Sequence, residues 1–506
     1  MRNITFRKHH RWFGLVMSFF LLAFCLSGLL LNHRQLISGV NVSRKWLPGR
    51  YEFRHWNGGL LRSAVRLADG RLLIYGCNGM FLTDSAASSV ADFNSGLPAG
   101  ADWRQIRSVV PMRYSSPGGD SRQALFAVSP FAIYRYGLHG CWHTVDMDLP
   151  DGERLTDLTA LGDTLIVVSR SNVYTSLPPY RSFRRVTIAP PVGYTPVATA
   201  FRTVWLLHSG ELFGSVGVAV VDFIAVVMIV VCLSGLVFWA AKKTKTSKGC
   251  AKRKALVMKQ SLAWHDRIGR TTIVATLFIC VTGWCLRPPA MIPLAISRVP
   301  ILPGTALHSD NAWHDKLRML RYDSVCGDWL LSTSEGFYSL GADLGRAVPQ
   351  KVESQPPVSV MGLNVWQPVG SGRWLCGSFS GMYVWDRRHG TVTDYFTGRP
   401  APGKAGPPFG KKAVAGYCGD FRSRSGAVCP VVAEYYAGTP SLPQPEWMNQ
   451  LPMSLWNVAL EVHSGRMFIG DIATYVFVFF AGLAAVWSLW TGYRIRRKRA
   501  KPKAAC

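Results

Sequence analysis

Four histidines occupy matching positions in two halves of this 506-residue chain, and they could act as metal ligands. His10 and His265 each begin the pattern His-x-x-x-Gly, and 255 residues separate them. His208 and His463 each begin His-Ser-Gly and are again 255 residues apart. A neutral imidazole nitrogen is one of the commonest metal ligands in proteins. A histidine that only anchors a helix at a membrane surface needs no identical spacing, so the repeat favours ligation.

The same offset recurs along the chain and indicates a tandem duplication of a helical hairpin. Cys25-Leu-Ser-Gly28 matches Cys280-Val-Thr-Gly283 at 255 residues. Two halves with the same orientation are expected to be related by a pseudo-two-fold axis along the membrane normal. Pairs of small residues near the ends of the apolar stretches allow close helix packing or leave room beside a flat ligand; they are Ser27-Gly28, Ser234-Gly235, Thr282-Gly283 and Thr491-Gly492.

Four apolar stretches are predicted to cross a membrane, which takes about 20 apolar residues. They are residues 13–31, 216–241, 271–286 and 472–493. A mean hydropathy of +0.12 with 17 % charged residues argues against a disordered chain and against a purely soluble one. We expect the first stretch to be a retained helix and not a cleaved signal peptide, because its apolar core is long and no small-x-small cleavage site follows.

The net charge of +28 is concentrated in three short segments. The N-terminus, residues 242–270 and residues 494–503 together hold +20 of it. Short basic segments stay on the cytoplasmic side, so the sequence predicts a multi-pass membrane protein with both termini cytoplasmic and both long polar segments on the other face. Nucleic-acid binding is not indicated, because no DNA- or RNA-binding motif accompanies the charge.

The two long polar segments are predicted to be periplasmic and all-β. Short alternating strands separated by Gly and Asp turns occur at 71–82, 124–136, 164–174, 329–338 and 373–385. We expect a propeller-like domain of about six blades built from both segments, with a pair of small β-sandwiches as the alternative. The predicted order is helix 1–34, β segment 35–207, helix 208–241, basic loop 242–264, helix 265–290, β segment 291–462, helix 463–493 and basic tail 494–506.

Helix length restricts which histidines can share a ligand. A spanning helix separates its ends by about 30 Å, so His10 and His208 lie near opposite faces. Around the two-fold axis His10 faces His265, and His208 faces His463. The prediction is one bis-histidine haem near each face of the membrane. Each second ring nitrogen then needs an acceptor, either a backbone carbonyl or a nearby serine, namely Ser209 and Ser464.

Other residues are rivals or additions to this site. His9 could replace His10, and His33 could replace an outer ligand, although its repeat counterpart is Pro288. Asp222 is a charge inside a predicted span, where charges are costly and often functional. In an oxidising compartment two cysteines of the second β segment could form a disulfide; they are Cys418 and Cys429.

These motifs resemble those of the PepSY-associated transmembrane helix proteins, bacterial inner-membrane proteins that include haem-containing ferric-siderophore reductases. The resemblance rests on His10-Arg-Trp-x-Gly14 and on Leu-His-Ser-Gly before the following span. It implies haem b held by helix-borne histidines and electron delivery to a periplasmic substrate. Ligand roles are carried only to His10, His265, His208 and His463. The outer segments depart from the family pattern, because no clear PepSY module is visible.

The leading hypothesis is therefore a membrane b-type cytochrome with two haems that reduces a ferric siderophore or another ferric chelate. The chain has no nucleotide-binding GxGxxG or P-loop pattern, so its electrons come from a quinol or from a separate flavoprotein docked on the basic face. The alternative is a non-enzymatic, membrane-anchored sensor or binding protein. A membrane hydrolase is disfavoured, because no GxSxG or HExxH signature occurs outside the membrane.

Overall fold

The chain forms two units, each assembled from separate segments of the sequence. The computed structural model describes residues 3–115, 121–137, 139–245, 250–406, 410, 412–422, 426–470 and 473–495. The helical unit is made of Met1–Ile37, Pro196–His308 and Trp456–Cys506, and the β unit of Ser38–Thr195 and Ser309–Leu455. Most of the predicted basic tail, residues 496–506, lies outside the described residues.

Three helices of the helical unit are long and apolar enough to cross a membrane. They are α1 (Asn3–Asn32), α4 (Gly214–Lys243) and α9 (Ala473–Arg494). A fourth candidate is the pair α5 and α6, which is bent by 70°. The described helices are α1 (Asn3–Asn32), α2 (Arg34–Ile37), α3 (Ala200–Ser209), α4 (Gly214–Lys243), α5 (Ala251–Thr271), α6 (Ile273–Cys285), α7 (Met291–Ile296), α8 (Leu455–His463) and α9 (Ala473–Arg494).

The bend between α5 and α6 lies at two consecutive threonines. Thr271 Oγ1 donates to Arg267 O at 2.8 Å, and Thr272 Oγ1 donates to Ile268 O at 2.9 Å. Hydroxyls bonded back to the preceding turn often bend helices. With 13 residues, α6 rises only about 20 Å. Residues 242–264 were expected to form a basic loop, whereas helix α5 covers most of that stretch in the structure.

The two His-Ser-Gly motifs end short helices and do not begin the spans that follow. In α3 the glycine after His208 and Ser209 adopts φ 85°, the left-handed conformation of a helix C-cap. A Cβ on this Gly210 would lie 2.3 Å from the carbonyl oxygen of Gly217. Gly465 after α8 has φ 81°. The predicted spans beginning at 208 and 463 are therefore each divided into a short helix and a separate long one.

The first half of the β unit contains three sheets of four antiparallel strands in chain order. A short strand β1 (Asn41–Val42) precedes them and β14 (Val197–Thr199) follows. Sheet 1 has β2 (Ser63–Arg66), β3 (Leu72–Gly76), β4 (Gly79–Thr83) and β5 (Val90–Asp92); sheet 2 has β6 (Ser108–Ser115), β7 (Ser121–Val128), β8 (Ile133–Tyr136) and β9 (Trp142–Val145); sheet 3 has β10 (Leu155–Leu161), β11 (Thr164–Ser169), β12 (Val173–Ser176) and β13 (Arg184–Val186).

The second half adds two more four-stranded sheets and a two-stranded one. Strand β26 (Met453–Ser454) pairs with β1. Strands β14 and β15 (Arg298–Pro300) pair with each other and belong to the helical unit. Sheet 4 has β16 (Leu317–Asp323), β17 (Asp328–Thr333), β18 (Gly336–Ser339) and β19 (Gln350–Lys351); sheet 5 has β20 (Val365–Pro368), β21 (Arg373–Ser378), β22 (Gly381–Asp386) and β23 (Thr391–Asp394); sheet 6 has β24 (Val414–Cys418) and β25 (Val431–Glu434).

All five predicted strand pairs are present as antiparallel hairpins inside sheets 1 to 5. A glycine recurs at the start of the third strand, where Gly79 has φ 112° and Gly336 has φ 123°. A Cβ at either position would meet a side-chain oxygen at 2.1 or 2.4 Å, respectively. The sequence revealed the central hairpins, since these carry the buried alternating residues. It missed sheet 6 within the Pro- and Gly-rich stretch 400–450.

Each sheet shares an apolar core with two others. Sheets 1 and 2, 2 and 3, 3 and 4, 4 and 5, and 5 and 6 pack pairwise, and sheet 6 packs against sheet 1. The proposed disulfide is not among these contacts: Cys418 is buried in the core of sheets 1 and 6, Cys429 is exposed, and both are free thiols. The structure thus contradicts the predicted disulfide, since one thiol is enclosed in a core and the other faces solvent.

A buried ionic cluster joins sheets 4 and 5. Arg387 Nη1 donates to Asp323 Oδ2 and to Asp328 Oδ1, each at 2.7 Å, and Trp374 Nε1 donates to Asp323 Oδ2 at 3.1 Å. The side chains of Arg387 and Asp323 are only 10 % and 2 % exposed. Burial would raise the pKa of Asp323, but the hydrogen bonds from Arg387 and Trp374 hold it below its usual value.

We expect Arg387→Met to lower the free energy of unfolding by about 3–5 kcal/mol, because it leaves two buried carboxylates without a partner. The measurement is a denaturant titration of the detergent-solubilised chain followed by tryptophan fluorescence. Arg346→Met is the matched control, since Arg346 and its partner Asp343 are 85 % and 70 % exposed and such pairs contribute under about 1 kcal/mol. Equal losses in both variants would contradict the prediction.

The same cluster predicts an acid dependence. A carboxyl whose pKa is lower in the folded chain stabilises the fold above its unfolded value, 3.8 for aspartate. The stabilisation is lost as the pH falls through the lowered pKa. A denaturant titration of the natural chain at several pH values should therefore show this contribution in full above about pH 4 and its loss as the pH falls further. In Arg387→Met burial raises the pKa of the unpaired carboxyl, so the difference between the two chains should begin to shrink at a higher pH.

Candidate functional site

The helical unit brings the four histidines together as two pairs. His10 Nε2 and His265 Nε2 are 3.5 Å apart, with ring centroids at 5.8 Å. The rings of His208 and His463 have centroids 5.9 Å apart. These are the pairings expected from the repeat, and each pair combines one histidine from each half of the chain.

The two pairs lie at different heights along α1. His10 belongs to α1 itself, and His463 binds the carbonyl of Phe24, fourteen residues further along this helix. At 1.5 Å per residue the separation is about 21 Å along the helix axis. Neighbouring packed helices connect the pairs.

Every imidazole of the site is fixed through Nδ1 to a neighbouring helix. The contacts are His10 Nδ1 to Ser488 O at 3.0 Å, His265 Nδ1 to Val231 O at 2.9 Å, His463 Nδ1 to Phe24 O at 2.9 Å and His208 Nδ1 to Thr282 Oγ1 at 3.1 Å. A carbonyl oxygen only accepts, so Nδ1 carries the proton in the first three rings. The Thr282 hydroxyl donates to Phe278 O and Ile279 O, so it too accepts from Nδ1.

A glycine makes each of these contacts possible. In three cases the glycine comes four residues after the accepting carbonyl, and in the fourth it comes directly after Thr282. The imidazole ring packs against the backbone of this glycine, which has no side chain. A Cβ would meet the ring carbon Cε1 at 3.2 Å for Gly28 and His463, 3.1 Å for Gly235 and His265, 2.7 Å for Gly283 and His208, and 2.7 Å for Gly492 and His10. The four imidazole rings therefore pack against the small-residue pairs that are visible in the sequence.

Protonation at Nδ1 leaves Nε2 as an unprotonated acceptor in the neutral ring. In the His10–His265 pair two such nitrogens face each other at 3.5 Å with no proton to share. A cation between them would turn this repulsion into attraction. A metal–imidazole bond is about 2.0–2.1 Å for zinc, so two rings on opposite sides of one metal have nitrogens about 4 Å apart. The observed spacing is close to that value.

The two imidazole nitrogens of each pair suit a metal whose other ligands come from a cofactor and not from the protein. Among the described residues, no group of three or more His, Cys, Asp or Glu side chains could hold a metal ion. A bare Zn²⁺ needs about four ligands, and each pair offers two. Haem iron already has four in-plane nitrogens and takes axial histidines. The residues present therefore fit haem better than a free ion.

The rival residues make other contacts. His9 Nδ1 is buried without a hydrogen-bond partner in the described chain, and its ring lies 6.0 Å from that of Trp487. His33 Nε2 contacts Asp222 Oδ2 at 2.8 Å, and Asn32 Nδ2 donates to Asp222 Oδ1 at 2.7 Å. The intramembrane carboxylate is thus held by two polar partners at the end of α1.

Of the two kinds of Nδ1 acceptor that the sequence suggested, the backbone carbonyl is found at three of the rings, and the fourth ring has the Thr282 hydroxyl instead. The serines of the His-Ser-Gly motifs bond elsewhere: Ser209 Oγ donates to Leu206 O and Ser464 Oγ to Glu461 O. The helices that carry the acceptors were not predicted. The signal was available, because Cys-x-Ser/Thr-Gly occurs three times and Trp-Thr-Gly once, each where an imidazole packs.

A family model described as the PepSY-associated TM region matches residues 159–499, more than half of the chain. The chain belongs to this family. The matched region contains three of the four paired histidines, and His10 precedes it. This membership supports membrane association, in agreement with the candidate spans. The PepSY-associated TM family by itself assigns no cofactor to the paired histidines.

Two solved structures are similar to the chain at a low level. They are described as extracellular domains of a one component system and of a hybrid two component system, both from B. thetaiotaomicron. Identities are 10 % and 11 %, TM-scores 0.31 and 0.32, and in both cases 76 % of this chain and 37 % of that chain are covered. The chain thus spans just over a third of their length, and no function follows from so weak a likeness. No curated protein matches the chain.

We expect Gly283→Ala to destabilise the helical unit by about 1–3 kcal/mol, since the new methyl group would overlap the His208 ring. The measurement is unfolding of the full chain in mixed micelles with increasing denaturing detergent. Gly269→Ala is the control, because nothing lies within 4 Å of a Cβ there and alanine favours a helix by about 1 kcal/mol. The prediction fails if both variants change stability in the same direction and by the same amount.

Proposed function

We propose that the chain is a b-type cytochrome that holds two haem b groups and carries electrons across a membrane. The observation that supports this most directly is the pairing of His10 with His265 and of His208 with His463, with Nδ1 of each ring engaged. When bound, haem b supplies reversible one-electron transfer at its iron. The protein's part is to present two Nε2 atoms at each site and to hold their rings still.

The packed helices favour rigid axial ligands. Each imidazole is wedged between a glycine and an accepting atom on another helix, so it keeps both its tautomer and its ring plane. The unprotonated Nε2 of each ring is then available to bind the metal.

We further propose a membrane arrangement with four crossings. The bent pair α5 and α6 would form the third crossing together, because α6 alone is too short for a bilayer of about 30 Å. Basic residues near the start of α1 and along α5 favour a cytoplasmic location for those ends. The β unit would then lie on the periplasmic side of a bacterial inner membrane.

We propose that the six sheets are the blades of a β-propeller. Three features support this arrangement: the sheets are small and antiparallel, they follow the chain order, and each shares a core with its predecessor. The core between sheets 6 and 1 would close the ring. Such closure leaves only short exposed edges.

The proposed acceptor is a ferric siderophore or another ferric chelate on the periplasmic side. This part rests on the resemblance of the histidine motifs to haem-containing ferric-siderophore reductases. The proposed donor is a quinol or a cytoplasmic flavoprotein, since the sequence has no nucleotide-binding motif of its own. The many exposed Lys and Arg side chains of α5 would attract an acidic donor protein.

An absorption spectrum of the purified chain tests the proposal. We expect a Soret band that shifts on dithionite reduction, and a pyridine haemochrome assay giving about two haems per chain. His208→Ala should lose about half of the haem and keep the other site. The paired control is His33→Ala, which should keep both haems because His33 is bonded to Asp222.

A second comparison uses two adjacent residues. His10→Ala should lose one haem, whereas His9→Ala should keep both, because only His10 faces His265. A colourless preparation from haem-replete cells would reject the cytochrome and leave the membrane-anchored sensor or binding protein as the remaining function. Loss of both haems from His208→Ala in a folded chain would contradict two separate sites.

A further inference from the structure

A single arginine distinguishes the two histidine pairs. Arg287 lies two residues after the end of α6. It lies four residues after Gly283, against which the ring of His208 packs. It lines a pocket of about 380 Å³ whose other walls are mostly apolar and aromatic. They are formed by Trp284, Cys285, Pro289, Ala290, Pro293 and Phe479.

The ring of His208 packs against the backbone of Gly283, four residues before Arg287, and the ring of His463 faces it with centroids 5.9 Å apart. Arg287 is therefore the arginine that follows the helix end on which this pair packs. In the described part of the chain it makes no hydrogen bond or ion pair. Glu461 and Arg466, the charged side chains that interact with it electrostatically, are bonded to each other, because Arg466 Nε donates to Glu461 Oε2 at 2.9 Å. Arg287 therefore brings a positive charge to this end of α6 without a direct ion pair in the described chain.

The other pair has cations of a different kind. The basic residues adjacent to His10 in the sequence, Arg7, Lys8 and Arg11, are exposed, so water and salt screen their charges. Arg270, five residues after His265, is bonded to Asp266 at 2.9 Å.

The repeat does not duplicate Arg287. Its equivalent in the first half is Asn32, whose amide donates to Asp222 and to Ser209 O, next to His208. The His208–His463 pair therefore has one such arginine and not two.

A cation surrounded by apolar walls is costly unless an anion joins it. Haem b carries two propionate carboxylates, and an arginine can bind a carboxylate through two parallel hydrogen bonds. A positive charge near the iron also favours the reduced state, because reduction adds one negative charge to the site.

We propose that Arg287 binds a carboxylate of the haem held by His208 and His463, and thereby raises the reduction potential of that haem above that of the haem at His10 and His265. This inference rests on the proposed cytochrome function. One electron would then pass favourably between the sites: the His10–His265 haem is oxidised and the His208–His463 haem is reduced, with no proton required. The arginine would thus favour electron transfer from the His10–His265 haem to the His208–His463 haem over the reverse transfer.

The test is an optical redox titration of the full chain with its haems, together with the haem content per chain. In Arg287→Gln we expect the higher of two midpoint potentials to move down while the lower one stays in place. Arg287→Lys keeps the charge and should restore most of the shift. Arg298→Gln is the matched control, because it removes an exposed arginine from the same segment and should leave both potentials unchanged.

The assignment of the shifted component uses His208→Ala, which should lose that component and keep the other. Loss of one haem in Arg287→Gln with its return in Arg287→Lys would also support the carboxylate contact. Two haems with unchanged potentials in Arg287→Gln, equal shifts of both, or loss of one haem in both Arg287 variants would overturn the inference. None of these results removes the haems of the natural chain, so the proposed function would stand or fail separately on its own spectrum.

Discussion

The contact between a histidine Nδ1–H and an acceptor on a neighbouring helix is the constraint on which the helical unit depends. It occurs four times, and each time the ring also packs against a glycine that no larger residue could replace without displacement. One such hydrogen bond contributes about 1 kcal/mol to stability. Its larger effect is geometric, since it fixes which nitrogen carries the proton and where the other nitrogen is directed.

This constraint also accounts for the short helices that interrupt the expected spans. A histidine in the last turn of α3 or α8 must reach sideways onto α6 or α1, and the chain must then turn to begin the next long helix. Gly210 and Gly465 allow that turn because both adopt the left-handed backbone conformation. The motif His-Ser-Gly therefore combines the paired imidazole with the helix end that positions it.

The repeat and the pairing were predictable from the sequence, because a constant offset of 255 residues relates both the histidines and the small-residue pairs. The central hairpins of sheets 1 to 5 were also predictable from alternating residues and turn glycines. The same offset favoured His10, which faces His265, over its neighbour His9, whose ring lies near Trp487. The bend after Thr271 and the contact between His33 and Asp222 were not predictable. Both depend on tertiary contacts that composition and spacing do not encode.

Duplication explains why the two histidines of each pair have matching contacts and why their surroundings can still differ. Backbone carbonyls and glycines define the imidazole positions, and both belong to repeated helical segments that tolerate little change. The residues around each pair are free of that restriction, so Arg287 stands where the first repeat has Asn32. The contact of Asn32 with Asp222 and the arginine that follows α6 then give different electrostatic surroundings to equivalent ends of the two repeats. For a pair of electron carriers with identical ligands, such surroundings are the means by which a protein makes their potentials unequal.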